Sequence, residues 1–160
     1  MMLRTRRVSG FTLVEMMIVI AILGLLAAVA IPQFTSSKDE GKVAATVSSL
    51  SILRTAVDTY WSQHDDFPGQ GSSTEFAEQI CKNTNKAGEI GKGKGFGYGP
   101  YVRKGELPMN PLNGANDIKI VNKMPSKPSG NQAWIYDRKT GEIRCNVKGH
   151  TADGTDYFDL

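Results

Sequence analysis

One carboxylate stands where carboxylates are rare. Eighteen of the 21 residues from 11 to 31 are apolar, and Glu15 is the only charged one among them. A carboxylate at membrane depth is costly and ordinarily has a partner or a task. The plain alternative is a side chain near the interface that reaches water. Other groups that could do chemistry are sparse. His64 and His150 lie in polar segments, without a Cys, His or carboxylate set at metal-ligand spacing. Ser, His and Asp occur, but no nucleophile motif such as G-x-S-x-G accompanies them. Gly88-Glu89-Ile90-Gly91-Lys92-Gly93-Lys94 has the G-x-x-x-x-G-K spacing of a phosphate-binding loop. Gly95 follows where a Ser or Thr would hold magnesium, and neither a buried strand before it nor a helix after it is indicated, so it reads as an exposed loop. Two cysteines, Cys81 and Cys145, would form a structural disulfide in an oxidising compartment, with free or metal-binding thiols as the alternatives. This inventory argues against an enzyme, and no cofactor is called for.

Glu15 must be placed by the segment around it. Arg4, Arg6 and Arg7 account for the whole excess of 19 Lys+Arg over 16 Asp+Glu. The basic pI of about 8.9 therefore reflects a short cationic head and not a nucleic-acid surface, for which no motif is identifiable. Basic head, apolar stretch and Ala28-Val29-Ala30 together fit a cleaved secretory signal peptide. Residues 11–31 as a helix of roughly 31 Å also fit a hydrocarbon core of about 30 Å. A discarded peptide has no use for Glu15, which favours the retained membrane helix. The arginines hold the leader in the cytoplasm and put the chain beyond residue 31 outside.

Pro32 predicts a kink and Gly24 a second weak point. Residues 35–42 read as solvated helix surface. Val43, Val47, Leu50, Val57 and Trp61 then build an apolar stripe, widened by Ile52, Leu53, Ala56 and Tyr60. One long helix over about residues 11–64 is predicted, with Tyr60 and Trp61 as core. Asp65-Asp66-Phe67-Pro68-Gly69 ends it, and Ser72 with Glu75 resembles a capping box for a short helix near 74–82. Ile118-Lys119-Ile120-Val121, Ala133-Trp134-Ile135-Tyr136 and Glu142-Ile143-Arg144-Cys145-Asn146-Val147 are β-prone, the last two joined by a turn over 137–141. The predicted fold is α+β: a long helix, apolar in its first half, packed against a small antiparallel sheet. Its predicted divisions are a leader (1–10), a transmembrane half-helix (11–31), an amphipathic half-helix (32–66) and a globular head (67–160).

Gly10-Phe11-Thr12-Leu13-Val14-Glu15 behind a basic leader, continued by an apolar helix to Pro32, resembles the type IV prepilin processing motif. The resemblance implies cleavage after Gly10 by a prepilin peptidase and methylation of the Phe11 amine. It further implies assembly of the mature subunit, through Glu15, Gly24 and Pro32, into a filament on an inner-membrane platform. In related filaments the stretch matching 24–32 is often unwound. Gly99-Pro100-Tyr101, the 108–113 segment, Trp134-Ile135-Tyr136-Asp137 and Thr140-Gly141-Glu142-Ile143-Arg144 are similar to the pseudopilins of type II secretion. That likeness implies a periplasmic filament supporting protein export. A surface type IV pilus for adhesion, motility or DNA uptake is the nearest alternative, and a small secreted binding domain is the alternative of another class. Some major pseudopilins bind calcium in a C-terminal loop, which makes Asp153, Asp156 and Asp159 candidate ligands, although a solvated acidic tail reads better.

The first expected outcome concerns the mature terminus. N-terminal sequencing should begin at Phe11, and Gly10→Phe should leave the precursor uncut; a mature chain beginning at Ile31 would mark a signal peptide instead.

Overall fold

The computed structural model describes residues 10–103 and 105–160, without the side chains of 30–37. The arginine-bearing leader lies outside the described residues, as does the Pro32 ring on which the expected kink rests. The chain forms two compact units that divide between Asp39 and Glu40.

The first unit holds the start of helix α1 (Leu13–His64). Its apolar side chains are exposed all round, among them Leu13, Val14, Ile20, Leu25 and Val29. Among the described residues, no helix is long and apolar enough to cross a membrane. The described apolar run, 13–29, is about 25 Å long as a helix, against a hydrocarbon core of about 30 Å. The backbone stays helical from Gly24 through Pro32, so the expected unwinding is absent from the single chain. One helix by itself contains nothing to compensate the hydrogen bonds that unwinding would open.

In the second unit, α1 buries Thr46, Leu50, Leu53, Val57, Tyr60 and His64. Their alternating spacing of three and four residues makes one straight stripe. Val47, Ile52 and Trp61 lie off it and are exposed, which corrects the reading of Trp61 as core. Trp61 instead stacks on Phe67, with ring centroids 6.1 Å apart. The buried stripe packs into a core with Phe76 and Ile80 of α2 (Ser73–Cys81) and with the sheet. Ser72 caps α2 by accepting from the Glu75 N–H at 3.1 Å. The returning arm of this box goes one residue further back, where Glu75 accepts from the Gly71 N–H.

The sheet is β1 (Ile118–Val121), β2 (Trp134–Asp137) and β3 (Ile143–Cys145), in that spatial order. It is mixed: β1 and β2 run parallel, while β2 and β3 are antiparallel. The expectation of a wholly antiparallel sheet is thus corrected. The segment 122–133 is about a dozen residues, long enough for a crossover, whereas the turn after Asp137 is short and forces a hairpin. Asp137 fixes both connections, its carboxylate accepting from the Met124 and Lys139 N–H groups. All four residues of β2 are buried, as the central strand of three requires.

Asn110, fully buried, ties the layers together. Its amide donates to the Ala133 carbonyl and the Cys145 sulfur, and its Oδ1 accepts from Thr46 and the Leu112 N–H. Tyr136 Oη is a contrast: among the described residues it is buried without a hydrogen-bond partner. A hydroxyl desolvated without compensation destabilises, and its ring packs on Phe76 at 4.5 Å. Tyr136→Phe should therefore leave the thermal midpoint of the head unchanged or raise it. A loss of about 1 kcal/mol or more in denaturant titration, the usual effect of removing a satisfied hydroxyl, would show that Oη is bonded.

Candidate processing and assembly site

The Gly10–Phe11 bond is exposed, and a Cβ at residue 10 would meet no described atom within 4 Å. Among the described residues nothing requires glycine there. Phe11 is 77% exposed and lies outside the helix.

Thr12 and Glu15 explain why the helix begins at Leu13. The Thr12 N–H and its hydroxyl both donate to Glu15 Oε2 at 2.8 Å, and the Glu15 N–H donates to Thr12 Oγ1 at 3.3 Å. This reciprocal pattern is a capping box, which satisfies donors that the first turn of a helix leaves open. The sequence carries its signal in the Thr12-x-x-Glu15 spacing, the same one noticed at Ser72 and Glu75. The expectation gave Glu15 a partner or an assembly task and did not include a cap. In the single chain the carboxylate is instead engaged by its own helix end, on the side from which Phe11 departs. Gly24, further along the same unit, has no described atom within 4 Å of a Cβ position, so its own chain does not demand its small size.

The remaining candidates separate. Cys81, on α2, and Cys145, on β3, are both buried and both free, so the expected disulfide is corrected to two thiols. Cys145 Sγ accepts from Asn110 Nδ2 at 3.2 Å. Burial pushes the Cys81 thiol up to about 11, helped by the charge of Glu106, and burial raises Cys145 as well. The three C-terminal aspartates do not converge. Asp153 accepts from the Thr151 hydroxyl and the Thr155 N–H, Asp159 pairs with Arg144 at 2.8 Å, and Asp156 is bridged by its backbone to His150. Among the described residues no group of three or more His, Cys, Asp or Glu could hold a metal ion. In the Gly88–Lys94 segment, Gly88 adopts a φ of 80°, and a Cβ there would strike Tyr60 Oη. Close approach to α1 accounts for that glycine.

Sequence reasoning missed His64, which is buried in a ring of Tyr60, Tyr98 and Tyr101. Its neighbours in the sequence are polar, and the contacts come from a loop more than twenty residues away.

Residues 5–31 match the family described as the Prokaryotic N-terminal methylation motif. The chain is 33% identical over 96 residues to the type II secretion system core protein G of Pseudomonas aeruginosa, covering 56% of this chain and 68% of that protein. It is 31% identical over 109 residues to the protein of that name from Aeromonas hydrophila, covering 68% and 71%. A fimbrial protein of Neisseria meningitidis is 40% identical over 69 residues, 43% of this chain and 41% of its own. No solved structure gives a significant match.

The thiols supply a test. Titration without reductant in denaturant should find two thiols per chain, whereas none would mean a bridge. In the native protein at about pH 8 both should be alkylated at least tenfold more slowly than an unstructured cysteine peptide. The rate should rise toward pH 11, because a raised thiol pKa leaves less thiolate at any lower pH.

Proposed function

Because the chain belongs to the type IV pilin-like family, close to the pseudopilins, we propose that it is a structural subunit of a type II secretion pseudopilus, a filament supporting protein export. The longer spans shared with the two secretion proteins, compared with the fimbrial protein, support this reading over a surface pilus. Prepilin peptidase cuts after Gly10 and the Phe11 amine is methylated. The matured subunit is anchored in the inner membrane by residues 11–31 with its amino end inside, and the head from residue 67 lies in the periplasm. It is then transferred to the filament on the membrane assembly platform. No step in this sequence asks the subunit itself for catalysis.

The observation that carries the proposal is Glu15, seated at the helix start by Thr12 in an otherwise uncharged apolar surface. Cleavage turns the Phe11 nitrogen into a cation four residues before Glu15, available to it within its own chain or offered by a neighbour. In apolar surroundings such a pair is far stronger than in water, and an unpaired member is costly. An arriving subunit that brings its amine to an exposed Glu15 relieves that cost and fixes its axial register. The small Gly24 leaves room for a neighbouring helix to approach.

Glu15→Leu should be inserted and cleaved yet assemble poorly, remaining in the membrane fraction with export lost. Glu15→Asp, which keeps the charge and loses reach, should be intermediate. Normal filament yield from Glu15→Leu in cells lacking wild-type subunit would overturn the mechanism. Sheared-surface electron microscopy at native expression distinguishes the subclass, since only a pilus yields long external fibres.

A further inference from the structure

One edge of the sheet stays open beside a groove. The Trp134 and Arg138 N–H groups donate to the Asp117 and Val121 carbonyls, so residues 117, 119 and 121 turn their backbone toward β2. By the alternation of a parallel ladder, the N–H and C=O of Ile118 and Ile120 point the other way, past the edge of β1. Among the described residues these four groups have no hydrogen-bond partner. Ile118 is nonetheless only 6% exposed, and backbone groups that deep in a fold ordinarily have partners. The opposite edge is occupied: along β3 the Ile143 carbonyl accepts from Arg54 at 3.4 Å, and the 157–159 turn lies against the strand. Beside β1 lies an open groove of about 490 Å³, with α2 on one side and the 105–107 and 116–118 segments on the other. The α2 wall carries short side chains, Ser73, Thr74, Ala77 and Cys81, which leave room for a backbone to approach.

We propose that the β1 edge and this groove take up an extended, cationic segment of another polypeptide as a fourth strand, its Lys or Arg side chains set against Glu106 and Asp117. An open edge is a template for a further strand, and main-chain hydrogen bonds to Ile118 and Ile120 supply the attachment. β1 has four residues, an edge of roughly 13 Å, which a pentapeptide spans. Charge selects the occupant. Three carboxylates line the groove, Glu78, Glu106 and Asp117, against one cation, Lys82. Lys82 is bound to Glu78 at 2.6 Å, while Glu106 and Asp117 have no ion pair among the described residues. Asp117 accepts from the Ala133 N–H at 2.9 Å, which holds its carboxylate in place. Glu106 is exposed and reaches only Asn116 Nδ2, at 3.5 Å. A basic strand gains from both carboxylates, whereas an acidic one meets like charge at the same edge. The inference concerns the head by itself and does not rest on the secretion reading.

The test is amide hydrogen exchange of the full chain in detergent, with and without the peptide acetyl-Lys-Val-Lys-Val-Lys-amide. Without peptide, the Ile118 and Ile120 amides should exchange faster than those of Lys119 and Val121, which are bonded to β2. Excess peptide should slow Ile118 and Ile120 by roughly tenfold or more and leave Lys119 and Val121 unchanged. The Glu-Val-Glu-Val-Glu counterpart should give no protection, nor should a lysine peptide methylated on its backbone nitrogens. Glu106→Lys, at an exposed position, should weaken binding about fivefold or more, with slow alkylation of Cys145 showing that the head is still folded. Unprotected Ile118 and Ile120 amides in excess lysine peptide, or equal protection by the glutamate peptide, would overturn the proposal. Protection that grows with protein concentration in the absence of peptide would assign the edge to a second copy of the chain, and it too would overturn the proposal.

Discussion

An apolar surface that the described residues around it leave uncovered governs this molecule. Residues 13–29 of α1 are exposed on every side, Leu13 at 75% and Leu25 at 71%. A soluble monomer rarely carries so large a continuous apolar area, because each square ångström left in water forgoes roughly 25 cal/mol. The surface calls for lipid or for copies of itself, and a filament subunit passes from the first to the second. Glu15 gains its importance from this setting, since a carboxylate on a polar helix would be unremarkable chemistry.

Beyond residue 45 the same helix changes character without a break in its hydrogen bonding. One stripe, from Thr46 to His64, becomes the floor of the head, and β2 supplies four consecutive buried residues to it. The ends of the stripe are polar, and each polar end is met by a loop. Thr46 contacts Asn110, while His64 is enclosed by Thr84, Lys86 and Tyr101. The core is therefore apolar in the middle and hydrogen-bonded at both margins. A buried polar group left unsatisfied is costly, so the hydrogen bonds at these margins favour one position for each loop.

How much of this was legible depends on the range of the interactions. The ends of α1 and α2, the three strand positions and the Gly10 to Glu15 motif follow from periodicity, caps and turn residues, all local properties. Strand direction was not local. Nothing in 122–133 states that the segment crosses over rather than turns back, and the result was a mixed sheet. Trp61 was misread because helical spacing admits two adjacent stripes, and only the packed sheet selects the one through Tyr60. His64 and Asn110 gave no signal because their partners lie in distant loops. The Thr12–Glu15 box is legible in the T-x-x-E spacing, but the apolar residues around Glu15 draw attention to its charge and not to its capping role.

The capping box and the proposed amine pair draw on the same carboxylate, which suggests why the two belong together. Before cleavage, Phe11 is an ordinary peptide residue, and the helix start needs an acceptor for its open donors. Oε2 serves as that acceptor, receiving both Thr12 donors. The cap holds the Glu15 carboxylate at the amino end of the helix, and its two donors partly compensate a negative charge in apolar surroundings. In the proposed processing, cleavage after Gly10 creates a cation at the residue beside Thr12. A carboxylate already pointing that way reaches the new charge with little further loss of side-chain freedom. Under the proposed function, threonine at residue 12 serves both states, capping the helix of the uncut chain and holding the carboxylate toward the amine of the cut one.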